Sequence, residues 1–390
     1  MTLVDVVVLI VVAVAAVQGL RLGAIVLVLS FGGFLVGLYL GARLAAVTVH
    51  GVHTSTARAV VALSTMLGVA VLCGVTGRLV GNFAFLRLHR GLIGSVDSVL
   101  GVVVAVIASL FTVWLLANTL INTSSVSLNA AIVQSRIIRS LDSVLPAPPS
   151  VFSQVQTFLS SEGFPPVFAQ LAPASAGPVA LPTDSLVAQA VLRAEPSTVK
   201  IVGVGCGQIQ EGSGFVVGPG LVVTNAHVVA GIPDPEVWTS SGPLPTKVIR
   251  FDPSYDLAVM RVTGLPEPAL ALDPDTVARG TQGAVLGYPG GGTFRYVAAG
   301  VMAEFEAEGR DIYGQGLTVR NVYEVQAVVR PGNSGGPLVL PDGEVIGVVF
   351  SRSTTNNDIG YALTSPGVLA EVRKAQDSTA TVGTGACTPG

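Results

Sequence analysis

Residues 330–338 read Arg330-Pro331-Gly332-Asn333-Ser334-Gly335-Gly336-Pro337-Leu338. This loop has the composition that a nucleophilic serine requires. Gly332 and the small residues after Ser334 let the backbone turn tightly, so the N–H groups of Gly332 and Ser334 are predicted to face a developing oxyanion. Glycine-rich turns are also common in loops without chemistry. The assignment therefore depends on partner residues elsewhere in the chain.

Two upstream strings supply those partners. Thr224-Asn225-Ala226-His227-Val228-Val229 follows an apolar run, which predicts His227 between the end of a strand and a short helical turn. Asp256 opens Asp256-Leu257-Ala258-Val259-Met260-Arg261-Val262, whose pattern predicts a half-buried alternating strand. Each residue alone also fits a structural role, since a histidine after a strand is often only hydrogen-bonded and an aspartate there often forms a turn.

The three residues together predict a catalytic triad. Their chain order, His227 then Asp256 then Ser334, is that of chymotrypsin rather than that of subtilisin or the α/β-hydrolases. Ser334 would attack, His227 would accept its proton, and Asp256 would hold the imidazole in the useful tautomer. Asp252 is a competing acid, but it precedes Pro253 and is interpreted as a turn residue.

Residues from about 187 to 369 resemble the trypsin-like fold as found in the bacterial HtrA/DegP group. Three stretches carry the resemblance: the Asp256 strand, the string Gly212-Ser213-Gly214-Phe215, and the nucleophile loop followed by Gly343-Glu344-Val345-Ile346-Gly347-Val348. The resemblance implies an all-β double barrel with endopeptidase activity. HtrA proteins usually continue into PDZ domains; because the sequence stops at Gly390, no PDZ module is expected.

Two positions in the loop bear on activation and specificity. Asn333 stands where trypsin relatives activated from zymogens carry an aspartate, so activation by a newly freed N-terminus is not expected. Val328 stands six positions before the nucleophile, where trypsin relatives have the floor of the substrate pocket. An apolar floor predicts a preference for apolar P1 side chains over Lys or Arg.

The composition indicates a membrane protein. Half of the 390 residues are hydrophobic and only 12% are charged, with a mean hydropathy of +0.67, which is too apolar for a purely soluble protein of this size. Four apolar runs, most of them near the length that crosses a bilayer, predict four transmembrane helices: residues 4–17, 22–40, 59–80 and 99–120. The first run could instead be a signal peptide, but it has no basic n-region and contains Asp5.

The arginines give a modest bias in orientation. With the N-terminus outside, the outer loop would hold Arg43 and Arg58. The inner loops would hold Arg21, Arg78, Arg87 and Arg90. Both termini are therefore predicted outside, although Arg136 and Arg139 weaken the count. Asp5 and Asp97 are expected near span ends within reach of solvent, which favours anchoring over transport as the role of the spans.

The cysteines point to the same side of the membrane. Cys73 lies in the third predicted span, whereas Cys206 and Cys387 bracket the protease-like region near its two ends. This pattern predicts a long-range disulfide in an oxidising compartment; free thiols in a reducing cytosol are the alternative.

The membrane part resembles the colicin V production (CvpA) type of membrane domain. The resemblance is carried by Gly19-Leu20-Arg21-Leu22-Gly23 and by Arg90-Gly91-Leu92-Ile93-Gly94-Ser95-Val96-Asp97. Together with the trypsin-like region, nearly the whole chain resembles the actinobacterial membrane-bound acid-resistance serine proteases, the MarP family. That resemblance implies a periplasmic protease used under acid stress.

These interpretations define three regions: a four-helix transmembrane domain over 1–121, a connecting region over 122–183 and an all-β trypsin-like double barrel over 184–390. Apolar spacing over 130–144 predicts an amphipathic helix on the membrane surface, and eight prolines keep the remainder of the connection extended. An exposed tether beside a protease suggests self-cleavage within 145–185.

The predicted function is a membrane-anchored extracytoplasmic serine endopeptidase acting on envelope proteins. No cofactor, metal site or nucleic-acid face is expected, because His50, His53 and His89 have no cysteine or carboxylate cluster around them. The alternative is a membrane scaffold or transporter whose protease-like domain only binds peptides. The complete set of His227, Asp256, Ser334 and Gly332 favours the enzyme.

Overall fold

The computed structural model describes residues 2–48, 55–88, 92–120, 126–146, 167–168, 173 and 175–388. It contains two compact units, Met1–Ile121 with Ser127–Leu159, and Asn122–Val126 with Ser160–Gly390. The first unit is helical and the second consists mainly of strands. The three loop histidines and most of the predicted tether lie outside the described residues.

Over its described residues, the helical unit contains three helices that are long and apolar enough to cross a membrane. They are α1 (Leu3–Thr48), α2 (Ser55–Leu88) and α3 (Leu92–Leu120). The predicted count of four spans is not confirmed, because the first two apolar runs belong to one 46-residue helix, α1.

A break interrupts α1 at Gly23, whose φ of 77° lies in the left-handed region that favours glycine. The N–H of Ile25, just after the break, donates to Oδ1 of Asp97 in α3 at 3.1 Å. Residues on both sides of the break, including Ala15 and Phe34, line one cavity of about 350 Å³. Along a straight helix these two residues would be about 28 Å apart. The two halves of α1 therefore fold towards each other.

The predicted amphipathic helix is two short helices, α4 (Val126–Gln134) and α5 (Arg136–Asp142). Ser135 separates them: its hydroxyl accepts the N–H of Ile138 and donates to the Asp5 carboxylate at 2.6 Å. Asp5 and Asp97 are 1% and 6% exposed. The expectation that solvent reaches these carboxylates is therefore wrong, because each one caps backbone or hydroxyl groups inside the helical unit.

The second unit contains two closed six-stranded barrels, as the trypsin-like prediction requires. Helix α6 (Asp184–Ala194) and a 3₁₀ turn (Glu195–Ser197) lead into the first barrel. Its strands run in the order β1-β2-β3-β6-β5-β4, with bounds β1 Thr198–Gly205, β2 Gln208–Gly218, β3 Leu221–Thr224, β4 Glu236–Thr239, β5 Gly242–Asp252 and β6 Leu257–Val262, and the short helix α7 (Ala226–Val229) follows β3.

The second barrel runs in the order β10-β11-β12-β9-β8-β7 and is followed by helix α8 (Ser365–Ala375). Its strands are β7 Gln282–Gly287, β8 Arg295–Arg310, β9 Leu317–Gln326, β10 Pro337–Val339, β11 Val345–Arg352 and β12 Ile359–Thr364. Each barrel has its own apolar interior. A third cluster joins Phe215 and Leu257 of the first barrel to Leu286 and Phe350 of the second, so the barrels pack on each other through fully buried side chains.

The strand register places the predicted site residues at one end of the first barrel. Strand β3 pairs antiparallel with β6, with Thr224 opposite Ala258, so the residues that follow β3 lie beside the residues that precede β6. The β6 strand is buried almost throughout rather than alternating. It is covered on both faces because the barrel interior lies on one side and the inter-barrel cluster on the other.

Residues 176–181, called the strap below, run along the second barrel. Side chains of that barrel bind the strap backbone through hydrogen bonds of 2.7–3.4 Å from or to Arg279, Gln282, Glu324 and Gln326. The final part of the predicted tether is therefore held against the protease-like unit.

Candidate active site

His227 and Asp256 form a direct hydrogen-bonded pair. Nδ1 of His227 lies 2.8 Å from Oδ2 and 3.0 Å from Oδ1 of Asp256. The backbone N–H of His227 also donates to Oδ1 at 3.0 Å. The carboxylate is completely buried and the imidazole nearly so. This arrangement fixes the ring orientation and leaves Nε2 as the nitrogen available to a substrate or nucleophile.

The backbone of Asp256 is held by a residue that the sequence reasoning did not single out. Asp256 has a φ of 63°, which aspartate tolerates better than most residues. Nδ2 of Asn225 donates to the Asp256 carbonyl at 2.8 Å, and Asn225 is fully buried. The sequence signal that could have identified Asn225 is its position two residues before His227.

Asp252, the competing acid, forms a turn as interpreted from the sequence. Its Oδ1 accepts the N–H groups of Ser254 and Tyr255, both at 2.9 Å, and its Oδ2 lies 3.4 Å from Arg250. No hydrogen bond joins it to His227 among the described residues.

A buried arginine lies close enough to interact with the Asp256 carboxylate. Arg320 donates to the carbonyls of Ser254 and Arg310, both at 2.8 Å. Burial lowers the pKa of its guanidinium, and the negative charge of Asp256 partly offsets that effect. Sequence reasoning missed this residue, because Arg320 lies in β9, which is distant in sequence from Asp256 and pairs with other strands.

The nucleophile loop forms a tight turn at Gly332. Gly332 has a φ of 92°, and the N–H of Asn333 donates to the Arg330 carbonyl at 2.9 Å, closing the turn. The next three carbonyls of the loop are also bound: those of Pro331 and Asn333 by backbone N–H groups at 2.7 and 2.9 Å, and that of Gly332 by the Ser213 hydroxyl at 2.6 Å.

The N–H groups of Gly332 and Ser334 donate to no acceptor within the described part of the chain. With the neighbouring carbonyls bound elsewhere, these two donors are available to a negatively charged oxygen. They are the two groups predicted from the sequence.

Ser334 is brought to the same end of the first barrel as His227. Its carbonyl accepts the N–H of Ser213 at 2.8 Å, and Gly212 beside Ser213 packs against Val228, the neighbour of His227. The described hydrogen bonds do not include one between the Ser334 hydroxyl and His227. Such contacts often tighten only when substrate binds.

The predicted pocket residue Val328 is 40% exposed, whereas its neighbour Val329 is 1% exposed. Val329 packs so closely against Gly360 in β12 that a side chain at Gly360 would overlap it. Val329 therefore belongs to the apolar interior of the second barrel, and Val328 is the exposed member of the pair.

Cys206 and Cys387 form the predicted disulfide, 181 residues apart in sequence, while Cys73 is free. The described residues hold no group of three or more His, Cys, Asp or Glu side chains able to bind a metal ion.

Comparison with known proteins places both units. The trypsin-like peptidase domain family matches residues 212–348, and the colicin V production protein family matches residues 4–146. The serine protease Rv3671c of Mycobacterium tuberculosis is 36% identical over 389 residues, covering 98% of each chain. The serine protease Do-like HtrA of Lactococcus lactis is 30% identical over 43% of this chain and 45% of its own length.

Among solved structures, the active form of the Rv3671c protease from M. tuberculosis superimposes with a TM-score of 0.54 at 39% identity. The superposition covers 56% of this chain and 97% of the chain in that structure.

Proposed function

Because the chain belongs to the serine protease family of M. tuberculosis Rv3671c, we propose that it hydrolyses peptide bonds through His227, Asp256 and Ser334. It combines a colicin V production domain with a trypsin-like peptidase domain and is a serine protease. The residue roles, the side of the membrane and the physiological task are the parts that we propose.

In the proposed mechanism, the Ser334 oxygen attacks the scissile carbonyl carbon while Nε2 of His227 takes the serine proton. Asp256 holds Nδ1–H and stabilises the imidazolium that forms. The N–H groups of Gly332 and Ser334 bind the oxyanion of the tetrahedral intermediate. His227 then gives its proton to the leaving amine, and water releases the acyl group by the reverse sequence.

The observation that carries this proposal is the hydrogen-bond pattern of residues 330–336. Every carbonyl in the turn that could point into the hole is bound elsewhere, and two N–H groups remain unused. A loop that only formed structure would have no reason to leave these two donors unpaired beside a buried His–Asp pair.

The pocket proposal is a preference for apolar P1 side chains. It is supported by the partly exposed valine at position 328. A peptide library with varied P1 residues tests it: apolar P1 should give a higher kcat/KM than Lys or Arg.

We further propose four membrane spans, with the fold of α1 at Gly23 separating the first two, and the protease unit on the extracytoplasmic side. The cavity shared by Ala15 and Phe34 supports two spans within α1. The disulfide supports an oxidising compartment. Envelope proteins are then the available substrates, and the family resemblance suggests a role in acid or envelope stress.

The deciding experiment is turnover of casein or a peptide library by the purified full-length protein in detergent, comparing wild type with Ser334→Ala. Cleavage that disappears in the variant is expected, together with Ser334-dependent labelling by a fluorophosphonate. A folded wild-type protein that neither cleaves nor becomes labelled would contradict the proposal and would favour a peptide-binding scaffold.

The stress role needs a separate experiment. A strain that lacks the protein should recover poorly from acid exposure, and the wild-type gene, but not Ser334→Ala, should restore recovery. Equal rescue by both genes would show that proteolysis is not what protects the cell.

A further inference from the structure

The turn Tyr288–Gly291, which follows β7, contacts the nucleophile loop (residues 330–338) directly. A side chain on Gly332 would lie 2.5 Å from the Tyr288 carbonyl oxygen and 2.6 Å from the Gly290 nitrogen, so the two backbones are in contact. The N–H of Gly290 donates to the Pro331 carbonyl at 2.7 Å.

The bond from Gly290 to Pro331 fixes the direction of the Gly332 N–H, one of the two proposed oxyanion donors. The Pro331 carbonyl and the Gly332 N–H belong to one planar trans peptide, so they point in opposite directions. Holding the carbonyl against Gly290 therefore directs the Gly332 N–H into the hole. If the peptide turned over, a carbonyl oxygen would point at the oxyanion instead.

The turn closes on its own backbone, with the N–H of Gly291 donating to the Tyr288 carbonyl at 3.1 Å and that of Gly292 donating to the Pro289 carbonyl at 3.2 Å. It reads Tyr288-Pro289-Gly290-Gly291 and is followed by Gly292, and both Gly290 and Gly291 have φ values near 62°. Consecutive glycines have many other accessible conformations, so contacts from outside the turn add to these bonds in selecting the observed one.

Two side chains of the first barrel supply those contacts. Nζ of Lys200 in β1 donates to the Gly291 carbonyl and lies 2.8 Å from Oε1 of Glu211 in β2. The Glu211 carboxylate occupies the space where a side chain at position 291 would be. Both side chains are partly buried, at 19% and 33% exposure.

A third side chain, Ser213, binds both the turn and the nucleophile loop. The Ser213 hydroxyl accepts the N–H of Tyr288 at 2.9 Å and donates to the Gly332 carbonyl at 2.6 Å. One buried side chain thus joins the turn and the nucleophile loop, and the Lys200–Glu211 pair fixes the opposite end of the turn.

We propose that Lys200 and Glu211 are positioning residues of the oxyanion hole, acting through the Tyr288–Gly291 turn on the Pro331–Gly332 peptide. This inference rests on the proposed proteolytic function, because it assigns a cause for the geometry of that site. Neither side chain touches the reacting atoms; they select the orientation of a donor that does.

The test uses full-length protein in detergent with Lys200→Gln and Glu211→Gln. Removing one oxyanion donor costs about 10²–10³ in kcat, and a donor only partly displaced should cost about tenfold. KM should change less than about twofold, since the donor acts mainly in the transition state. Affinity for a peptide aldehyde, which forms an oxyanion when bound, should fall in parallel with kcat.

Two further variants separate positioning from general stability. Lys200→Arg can still donate to the Gly291 carbonyl and should recover most of kcat. Lys374→Gln removes a more exposed lysine (57% exposed, against 19% for Lys200) from an ion pair with Glu371 on α8, and kcat should stay at the wild-type value.

Hydrogen–deuterium exchange measures the same coupling without turnover. Lys200→Gln should speed exchange in peptides covering 288–292 and 330–334 together. Unchanged kcat, aldehyde affinity and exchange in folded Lys200→Gln would overturn the inference, as would a rise in KM alone, which would indicate a substrate contact. If wild type itself shows no Ser334-dependent turnover, the proposed function fails, and the exchange result still decides whether the pair positions the loop.

Discussion

At the scale of single residues, Asp256 combines three functions. It accepts two hydrogen bonds from His227, it adopts a backbone conformation that few residues tolerate, and its carbonyl is held by Asn225. The carboxylate is therefore fixed before substrate arrives, which is the condition for electrostatic stabilisation of an imidazolium.

We expect Asp256→Asn to lower kcat by about 10⁴-fold, because an amide would hold the imidazole in the wrong tautomer. Steady-state hydrolysis of a peptide substrate measures this. Asp252→Asn is the matched control: it weakens a turn and should leave kcat within about twofold. A larger loss of kcat from Asp252→Asn than from Asp256→Asn would transfer the acid role to Asp252.

Ser213 is expected to stabilise the fold as well as the site. Ser213→Ala leaves the Gly332 carbonyl and the Tyr288 N–H without their partner, at a cost of about 1–3 kcal/mol for each unpaired group. The hydroxyl of Ser197 is equally buried and has no hydrogen-bond partner within the described residues, so Ser197→Ala should cost clearly less. Denaturant unfolding of both variants compares them, and equal losses would contradict the bridging role.

At the scale of elements, the C-terminal tail is bonded to the β1–β2 hairpin, from which it is distant in sequence. The disulfide Cys206–Cys387 closes a loop of 181 residues, and the tail also pairs through backbone bonds from Gly231 to Thr384 and from Val382 to Val248. The tail is thus a structural part of the first barrel.

Replacing both cysteines with serine should lower the free energy of unfolding by about 5 kcal/mol, the chain-entropy value for a loop of this length. Thermal unfolding with and without reductant measures the same difference in wild type. Cys73→Ser is the control and should leave unfolding of the protease unit unchanged, since Cys73 is a free thiol in the helical unit. No change on reduction would show that the tail is held by its hydrogen bonds alone.

The strap limits where self-cleavage can occur. A protease needs its substrate backbone free to enter the cleft, whereas residues 176–181 have theirs bound to the second barrel. We therefore expect any processing within the predicted 145–185 window to fall before Ala176, and mass spectrometry of new N-termini locates it. Arg279→Gln releases two of the strap bonds and should extend cleavage into 176–181. Wild-type cleavage within the strap would contradict this expectation.

At the scale of the whole molecule, the number of spans decides where the protease acts. A straight 46-residue helix would be about 69 Å long, more than twice the ~30 Å hydrocarbon core. The contacts of Ala15 and Phe34 with one cavity and of Ile25 with Asp97 support a reversal at Gly23.

Four spans place the N-terminus and the protease unit on the same side. With Cys73 replaced by serine, a cysteine at Leu3 and a cysteine at Ser185 should therefore both react with an impermeant thiol reagent added to spheroplasts. Lysed cells give the control for full reactivity. Labelling of only one of the two positions from outside would establish an odd number of spans.

The sequence by itself determined the protease fold, the disulfide partners and the helical first unit, and it predicted the nucleophile loop with two oxyanion donors. Apart from the disulfide, which joins the two cysteines outside the predicted spans, these signals are local, because glycine spacing, strand patterns and apolar runs each lie within about twenty neighbouring residues. The tertiary structure alone decided the break of α1 beside Asp97, the strap on the second barrel, and the Lys200, Glu211 and Ser213 contacts with the oxyanion turn. Each of these joins residues about 70 to 150 positions apart, and no local pattern encodes a pairing at that distance.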